Sequence, residues 1–220
     1  MGDQTSSESV LYGGLDEVGR GCIAGPMTVV VIAFPKGHPK IEGVADSKKL
    51  TKKKREELAP LILQQCSYFG EGWAEPYYID QVGITEAWHT IANLALKKAP
   101  PNMELVVDGI EVIKGYEGKH WACPKADDKF WEVSAASIVA KVMRDRYMTE
   151  LSERYPEYLW EKNAGYGTKE HRQKIITCGP SPYHRMTFLK KILKGGFDRI
   201  DKQEKKKQKK EALKMGNTKW

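Results

Sequence analysis

A short segment that combines two acids with a glycine-flanked arginine gives the first indication of the chemistry this chain could perform. Asp16 and Glu17 are adjacent carboxylates directly after an apolar run, and hard divalent cations prefer oxygen ligands of this kind. Arg20 carries a planar fork of donors that suits a phosphate or a sugar, and Gly19 and Gly21 let the backbone approach a bulky ligand. The segment therefore suggests that a metal and a nucleic-acid backbone meet at one turn. A charged surface turn is an equally simple interpretation.

Two further acidic positions favour the metal interpretation. Asp108 follows the apolar residues 105–107, where a buried strand emerges, and Asp127 and Asp128 precede a small-residue stretch beginning at Ser134. Ligand sites of open α/β sheets gather at strand ends, and a carboxylate held there is costly unless a cation balances it. Two hard cations about 3.5–4 Å apart can activate a water and stabilise the leaving oxygen of a phosphodiester. Because no cysteine or histidine group lies near these acids, the pattern favours Mg²⁺ or Mn²⁺ over zinc.

The adjacency of Asp16 and Glu17 sets a geometric condition. Consecutive residues of a strand point to opposite faces of the sheet. Both carboxylates can therefore bind one site only if the backbone leaves the strand at this point, and the following Val18 and Gly19 permit that departure.

The elements that must position these residues alternate between strands and helices. Apolar and β-branched runs predict strands over residues 12–15, 28–34, 68–74 and 104–107. Helical spacing predicts helices over residues 51–65, 85–98, 134–154, 168–178 and 183–193, with Thr51 and Ser134 as N-caps. This order indicates one α/β domain with a mixed sheet and a helical C-terminal part.

Composition places the chain among globular proteins. Of its 220 residues, 40% are hydrophobic and 10% aromatic, so a substantial core is expected and wholesale disorder is excluded. The four cysteines lie far apart without a Cys-x-x-Cys pair, which argues against a zinc site or a disulfide scaffold. The polar residues 1–9 contain no signal core, and the longest apolar run, residues 27–34, is too short to span a bilayer. We therefore expect a soluble, cytoplasmic protein with no membrane association.

Most of the net charge of +7 belongs to the end of the chain. Residues 201–220 hold eight lysines against three acids, which leaves only +2 for the first 200 residues. We predict that residues 1–200 form the folded domain and that residues 201–220 form a flexible, lysine-rich tail. Such a tail could raise the affinity for a polyanion, although a role in solubility is the slightly favoured alternative.

Seven motifs, taken in order, resemble those of ribonuclease HII, the type-2 ribonuclease H family. They are DEVGRG at 16–21, GP at 25–26, DSKKL at 46–50, VDG at 107–109, KAD at 125–127, SAASIVAKV at 134–142 and GYGT at 165–168. No single motif is decisive, but the ordered set is highly specific and covers about residues 10–190.

The resemblance implies an α/β ribonuclease H-like fold, in which helices flank a five-stranded mixed sheet and a helical extension follows at the C-terminus. It also implies an endonuclease that cleaves RNA in RNA–DNA hybrids and cuts on the 5′ side of a single ribonucleotide embedded in duplex DNA. The ends would be a 3′-hydroxyl and a 5′-phosphate, as ribonucleotide removal and primer processing require. We expect a monomer; the sequence does not indicate whether a sliding clamp binds.

The resemblance also implies the metal ligands. The four family carboxylates correspond to Asp16, Glu17, Asp108 and Asp127, while Asp128 stays open as an alternative to Asp127. Two divalent ions, Mg²⁺ or Mn²⁺, would share Asp16 and Asp108, and the other two carboxylates would complete their coordination.

Substrate contacts are implied at the turn and beyond it. Gly19, Arg20 and Gly21 resemble the family's ribose reader, which contacts the 2′-hydroxyl that distinguishes RNA from DNA. Tyr166 resembles the tyrosine that packs on the deoxyribose after the ribonucleotide, although a half-buried loop ring is the simpler interpretation of a Gly-Tyr-Gly sequence. Phosphate contacts are implied, against the alternative of a solvated lysine face, for Ser47, Lys48 and Lys49.

Four other polar residues are expected to be structural first. Ser134 and Ser137 are interpreted as helix-start hydroxyls, with substrate contact as the second possibility. His184 and Arg185 are interpreted as part of the C-terminal packing, with phosphate contact as the alternative.

Three other assignments fit the sequence less well. Ribonuclease HIII typically lacks the arginine of the turn and carries an N-terminal domain for which the few residues before the first strand leave no room. Another ribonuclease H-like nuclease, such as a resolvase or integrase, shares strand-end acids but has no need of a ribose-reading turn. A non-catalytic nucleic-acid-binding protein has little reason to place carboxylates where phosphates dock, because the two repel each other.

Overall fold

A mixed five-stranded sheet forms the centre of the computed structural model, which describes residues 9–45 and 47–195. The five strands of this described part are β1 (Leu11–Val18), β2 (Met27–Pro35), β3 (Tyr68–Ala74), β4 (Met103–Asp108) and β5 (His120–Cys123). Their spatial order is β3-β2-β1-β4-β5. The expected ribonuclease H-like, five-stranded mixed sheet is confirmed.

The strand directions bring the ends of β1 and β4 together. β1 is antiparallel to β2 and parallel to β4, and β5 continues the parallel half of the sheet. In the β1–β4 ladder Leu15 pairs with Val107. The residues that follow this pair, Asp16 and Asp108, therefore lie side by side at the carboxyl ends of two inner strands.

Helices cover both faces of the sheet. Those of the described residues are α1 (Lys52–Gln65), α2 (Pro76–Val82), α3 (Ile84–Leu96), α4 (Trp131–Arg154), α5 (Trp160–Asn163) and α6 (Lys169–Cys178), and residues 186–195 are also helical. α3 packs its buried side chains, among them Trp88 and Ile91, on one face of the sheet. α1 and α4 pack on the other face, where Val30 and Ile32 of β2 meet Ile62 and Val139. The carboxyl ends of β1 and β4 therefore lie between α3 and α4.

Gly14 explains how closely α4 approaches the central strand. A Cβ atom at this position would lie 2.2 Å from the backbone nitrogen of Val133, a distance that no real side chain tolerates. The absence of a side chain at Gly14 therefore lets the start of α4 rest on β1, next to the strand end that carries the acids.

Most of the predicted elements are confirmed, with small shifts of boundary. Thr51 caps α1, which continues through Pro60, and Thr168 caps α6. The N-cap prediction for Ser134 is wrong: the cap position is Phe130, and the helix starts one turn earlier than predicted because Trp131 packs against the core around Phe34.

The sequence prediction did not include β5 and α2, and it started the last helix three residues before residue 186. The proposed lysine-rich tail, residues 201–220, lies outside the described residues. Among the described helices, none combines the length and the apolar character that crossing a membrane demands.

Candidate active site

The predicted acids Asp16, Glu17 and Asp108 line one pocket of about 300 Å³ at the carboxyl ends of β1 and β4. The β1–β2 ladder extends through Val18, so Asp16 and Glu17 both keep strand geometry, and the chain turns only at Gly19, where φ is +91°. The two side chains leave opposite faces of the strand, yet both reach the pocket because it opens at the strand end.

Neighbouring helices hold these two carboxylates from opposite sides. Asp16 accepts a hydrogen bond from the Ser137 side chain of α4 and another from the backbone N–H of Glu17, at 2.8 Å. Glu17 Oε2 accepts from the indole Nε1–H of Trp88 on α3, at 3.1 Å. α3 and α4 therefore each orient one acid.

Burial makes this site unfavourable for uncompensated negative charge. It raises the pKa of Asp16 to about 7, and the charges of Glu17 and Asp108 push in the same direction against the hydrogen bond from Ser137. The pKa of Glu17 is raised mainly by burial, against the lowering effect of Arg20. A bound cation stabilises the charged forms of two such adjacent carboxylates, one buried and one partly buried.

Asp108 is tied to the turn that carries the fourth predicted acid. Its Oδ1 accepts a hydrogen bond of 2.8 Å from the backbone N–H of Ala126, the first residue of the 3-10 turn Ala126–Asp128. Asp127 follows directly and is 7% exposed, although it is not among the residues that line the pocket. The hydrogen bond places the turn beside the end of β4.

The environments of Asp127 and Asp128 differ in burial. The side chain of Asp128 is 46% exposed and forms an ion pair with Lys49 at 2.6 Å. The buried Asp127 has its Oδ2 3.5 Å from Nζ of Lys48. Asp127 is the more protected of the two and the better placed for a buried role.

The donor atoms of the predicted acids match the preference of a hard divalent cation. The acids offer only oxygen atoms, and burial raises the pKa of both acids of β1, which fits a hard divalent cation. Across residues 9–45 and 47–195, no group of three or more His, Cys, Asp or Glu side chains already has the spacing of a metal site. The carboxylates are thus gathered in one pocket but not preassembled around one point.

The two glycines of the Gly-Arg-Gly turn have different surroundings. A Cβ at Gly19 would lie 2.2 Å from Nε of Arg144, and the positive φ of this residue also favours glycine. A Cβ at Gly21 would meet nothing within 4 Å. Gly19 is therefore required by the protein's own packing, whereas the space beside Gly21 is open to a ligand.

Arg20 bridges the acidic pocket and α3. Its NH2 group donates to Oε1 of Glu111 at 3.1 Å, and its guanidinium lies 5.9 Å from the ring centroid of Trp88. Its side chain remains 33% exposed. The sequence interpretation did not include Glu111 or the polar role of Trp88, whose only visible signal was its place on the apolar stripe of α3.

Hydroxyl groups of two separate motifs meet behind Asp16. The Oγ atoms of Ser47 and Ser137 are 2.8 Å apart, and both residues are buried. Ser134 instead donates its Oγ–H to the backbone carbonyl of Asp127 at 2.6 Å. The structure thus gives Ser137 a direct contact with an acid of the pocket, and Ser134 a contact that holds the turn of Asp127.

Tyr166 also belongs to this pocket. It lies on the loop between α5 and α6, lines the pocket and is 42% exposed, with Nζ of Lys141 at 5.8 Å from its ring centroid. The pocket thus gathers most of the predicted site residues, whereas Lys49 and Asp127 do not line it. The predicted residues that line it are Asp16, Glu17, Gly19, Arg20, Gly21, Ser47, Lys48, Asp108 and Tyr166.

His184 and Arg185 are buried in the C-terminal part, as the structural interpretation predicts. The Nε2 atoms of His184 and His171 are 3.1 Å apart, and Arg185 donates to backbone carbonyls. No partner for His171 is predicted from the sequence. No role is predicted for Arg144 either, because two of its contacts, with Pro26 and Ala24, lie about 120 positions away in the chain and leave no local pattern.

Comparison with known proteins gives one consistent family. The family model described as Ribonuclease HII matches residues 13–191. Ribonuclease HII of Thermosynechococcus vestitus is 40% identical over 180 residues, covering 82% of this chain and 84% of that protein. Ribonuclease HII of Alkaliphilus metalliredigens is 43% identical over 191 residues, covering 82% and 91%.

Solved structures show the same architecture. Ribonuclease H2 of Pyrococcus horikoshii matches with a TM-score of 0.70 at 29% identity, covering 84% of this chain and 98% of that one. The ribonuclease HII of Archaeoglobus fulgidus, solved in complex with PCNA, matches with 0.67 at 29% identity, covering 80% and 94%. A ribonuclease HIII solved with Mn²⁺ shares the fold, with a TM-score of 0.64 at 18% identity over 88% and 71%.

Proposed function

The chain belongs to the ribonuclease HII family, and from this premise we propose that the pocket at the ends of β1 and β4 is its catalytic centre. The protein is an endoribonuclease, as its family membership shows. One observation carries the assignment of the site. Carboxylates of two adjacent parallel strands share a pocket with an open glycine turn and a half-exposed tyrosine.

The proposed substrates are RNA–DNA hybrids and duplex DNA that contains a single ribonucleotide, cut on its 5′ side to leave a 3′-hydroxyl and a 5′-phosphate. The open space beside Gly21 accommodates a ribose, and the turn can offer backbone groups to its 2′-hydroxyl. Tyr166, which lines the same pocket, would pack on the next sugar, where a 2′-hydroxyl would interfere. Together the turn and Tyr166 would select a ribonucleotide followed by a deoxyribonucleotide.

We propose that Asp16, Glu17 and Asp108, together with Asp127, hold two divalent ions, Mg²⁺ or Mn²⁺. Bound there, such ions would place positive charge next to the phosphodiester, activate the attacking water and neutralise the leaving oxygen. A member of a related family was solved with Mn²⁺. The fit rests on the oxygen-only donor set and on the raised pKa values of the two β1 acids, which a cation would lower.

The other residues of the pocket position these groups. Ser137 and Trp88 fix the directions of the two β1 carboxylates through the hydrogen bonds described above. Arg20 is held by Glu111 with part of its guanidinium exposed, so it can contact a phosphate or sugar oxygen of the strand. Lys48 lies between the buried Asp127 and solvent, where a phosphate could approach.

We further propose that one catalytic domain extends to about residue 200, which the family match over residues 13–191 supports. The archaeal relative was solved in complex with a sliding clamp; the partner proposed here is nucleic acid. The expected cytoplasmic location stays a prediction.

The proposal is tested on a DNA duplex with one central ribonucleotide, a uniform RNA–DNA hybrid and the same duplex in DNA only. We expect cleavage of the first two in the presence of Mg²⁺ or Mn²⁺, none after chelation, and a cut mapped to the 5′ side of the ribonucleotide. Cleavage of the all-DNA duplex would favour another ribonuclease H-like nuclease. Metal-independent binding without cleavage would favour a non-catalytic nucleic-acid-binding protein.

A matched pair of variants decides which acid of the 3-10 turn takes part. Asp127→Asn should lower kcat by about 100-fold, because a buried carboxylate beside the reacting phosphate is lost. Asp128→Asn makes the same chemical change at the neighbouring, exposed residue and should leave kcat unchanged. The reverse result would assign the role to Asp128.

A further inference from the structure

Two arginines behind the pocket are completely buried. Arg144 of α4 and Arg185, which precedes the last helical stretch, are both 0% exposed. In the part of the chain that the structure describes, neither forms an ion pair with a carboxylate. Burial lowers the pKa of Arg185 to about 10. A buried charge without an opposite charge is costly, so the hydrogen bonds of these guanidinium groups must be structurally important.

Arg144 joins two loops that are far apart in sequence. We define the turn segment as residues 19–26 and the tyrosine loop as residues 164–168. Within the turn segment, Nε of Arg144 donates to the carbonyl of Pro26 at 2.8 Å and NH2 donates to that of Ala24 at 3.2 Å. NH1 donates to the carbonyl of Ala164 in the tyrosine loop at 2.8 Å. One planar group therefore fixes the two loops relative to each other.

Arg185 holds the turn segment from the opposite end of the chain. Its Nε and NH2 donate to the carbonyl of Gly25 at 3.1 and 2.9 Å, and its NH1 donates to the carbonyl of Arg20 at 3.0 Å. Its backbone N–H also donates to the carbonyl of Ile23 at 2.9 Å. The carbonyl of the central arginine of the Gly-Arg-Gly turn is thus fixed by a buried guanidinium.

The two loops are also in direct contact. The backbone N–H groups of Ile23 and Ala24 donate to the carbonyl of Gly165 at 2.9 and 3.2 Å. A Cβ at Gly165 would lie 2.2 Å from the carbonyl oxygen of Ala24, so no side chain fits between the loops. Gly21 and Tyr166 therefore sit on two loops that cannot shift independently while these bonds are intact.

We propose that Arg144 and Arg185 are positioning residues that lock the turn segment and the tyrosine loop into one rigid unit, which reads two consecutive sugars at a fixed separation. The proposal rests on the proposed function and extends it, because selection of a ribonucleotide–deoxyribonucleotide step then depends on residues that touch neither sugar. Only a guanidinium offers donors in a fixed plane to several carbonyls; the ammonium of lysine is a compact point charge.

The test compares two substrates for each variant, the duplex with one embedded ribonucleotide and the uniform hybrid. In the hybrid the following sugar also carries a 2′-hydroxyl, so joint reading of the two sugars contributes little to its cleavage. Arg144→Lys should lower kcat/KM on the single-ribonucleotide duplex by about 100-fold, the effect expected of a misplacement near 1 Å. The ratio of the two kcat/KM values should fall at least about tenfold with it.

Two control variants separate positioning from general damage. Arg146→Lys makes the same change two residues later in α4 at an exposed arginine, and both rates should stay at wild-type values. Ile62→Ala destabilises the core between α1 and α4 without touching either loop, and it should change both substrates by the same factor. If Arg144→Lys does not fold, Arg185→Lys takes its place in the same comparison.

A double variant tests whether the arginine acts through the tyrosine. Once Tyr166→Ala has removed the reading of the second sugar, adding Arg144→Lys should leave the substrate ratio unchanged. Folded arginine variants that keep the wild-type ratio, or effects on the ratio that multiply in the double variant, would overturn the inference. A wild-type enzyme that does not cleave the single-ribonucleotide duplex would instead refute the proposed function.

Discussion

The acidic pocket and the arginine pair behind it are linked by the turn segment, but they differ in how far their charged groups are compensated by partners within the protein. Asp16 is buried and Glu17 partly buried, and their pKa values are raised mainly by burial, with the negative charge of Asp108 adding to both. Arg144 and Arg185 are fully buried, but backbone carbonyls accept from both guanidinium groups.

This difference separates chemistry from positioning. The acidic pocket, whose negative charges have no full counter-charge, can bind a cation, and it is the part of the site proposed to carry the reaction. The guanidinium groups of Arg144 and Arg185 already donate to carbonyls within the protein, so they can only fix geometry. A variant that alters the acidic pocket should therefore change turnover more than stability, and a variant that disturbs the arginine contacts should change stability or selectivity.

The two glycines of the turn provide the strongest contrast. Gly21→Ala should lower kcat/KM by about 100-fold, because the added methyl group occupies the space proposed for the ribose. Its free energy of unfolding should stay within about 0.5 kcal/mol of the wild-type value, since that methyl group meets no protein atom. Steady-state kinetics and urea unfolding measure the two quantities.

Gly19→Ala is the matched variant on the other side of the comparison. Its Cβ would collide with Arg144 at a residue with positive φ, so the free energy of unfolding should fall by about 1–3 kcal/mol. Equal losses of stability for both alanine variants would remove the distinction between the two sides of the turn.

Replacing a buried acid should stabilise the metal-free protein. The folded-state pKa of Asp16 is about 7 against an ordinary value of 3.8, so the native state binds the proton more tightly than the unfolded chain does. Its carboxylate therefore opposes folding above pH 7, and this penalty disappears as the pH falls towards 4. Asp16→Asn should raise the free energy of unfolding at pH 8 by about 2 kcal/mol while abolishing activity.

Urea unfolding with a chelator present, at pH 8 and pH 4.5, checks this expectation. The gain should be present at the first pH and lost at the second. A variant that is less stable than wild type at pH 8 would show that the pocket tolerates the unbalanced charge.

The buried histidine pair should change the pH dependence of stability in the opposite direction to Asp16, and by less. Burial and the neighbouring His171 lower the pKa of His184 to about 4. The unfolded chain then binds a proton that the native state does not between about pH 6.5 and pH 4, so stability falls as the pH falls through that window. Relative to His184→Gln, the wild type should lose about 1–2 kcal/mol between pH 7 and pH 5. Parallel pH profiles of the two proteins would contradict this account.

The predictability of the fold and the site from sequence depended on the range of the interactions involved. Local patterns sufficed for α6, which begins after the capping Thr168, and for the strand–acid junction at Asp108. They did not reveal β5, which has four residues and no alternating pattern, and they placed the start of α4 at Ser134 because a serine before an apolar run resembles a cap.

The ligand-binding part of the site was visible because short motifs carry it, whereas its support was not. Trp88 has the pattern of a core residue, and only the fold shows its indole N–H reaching Glu17. The contacts of Arg144 and Arg185 with the turn segment cross more than 100 positions of the chain, so no local spacing indicates them.

Carboxylates at the ends of β1 and β4 are proposed to provide the chemistry of this pocket. The most direct measurement is single-turnover cleavage of the single-ribonucleotide duplex in Mg²⁺ by the wild type and by Asp108→Asn, with duplex binding measured in parallel. We predict that the variant binds the duplex normally and cleaves it about 1000-fold more slowly, at the upper end of the loss from removing one stabilising group. Turnover close to that of the wild type would remove Asp108 from the mechanism and contradict the account.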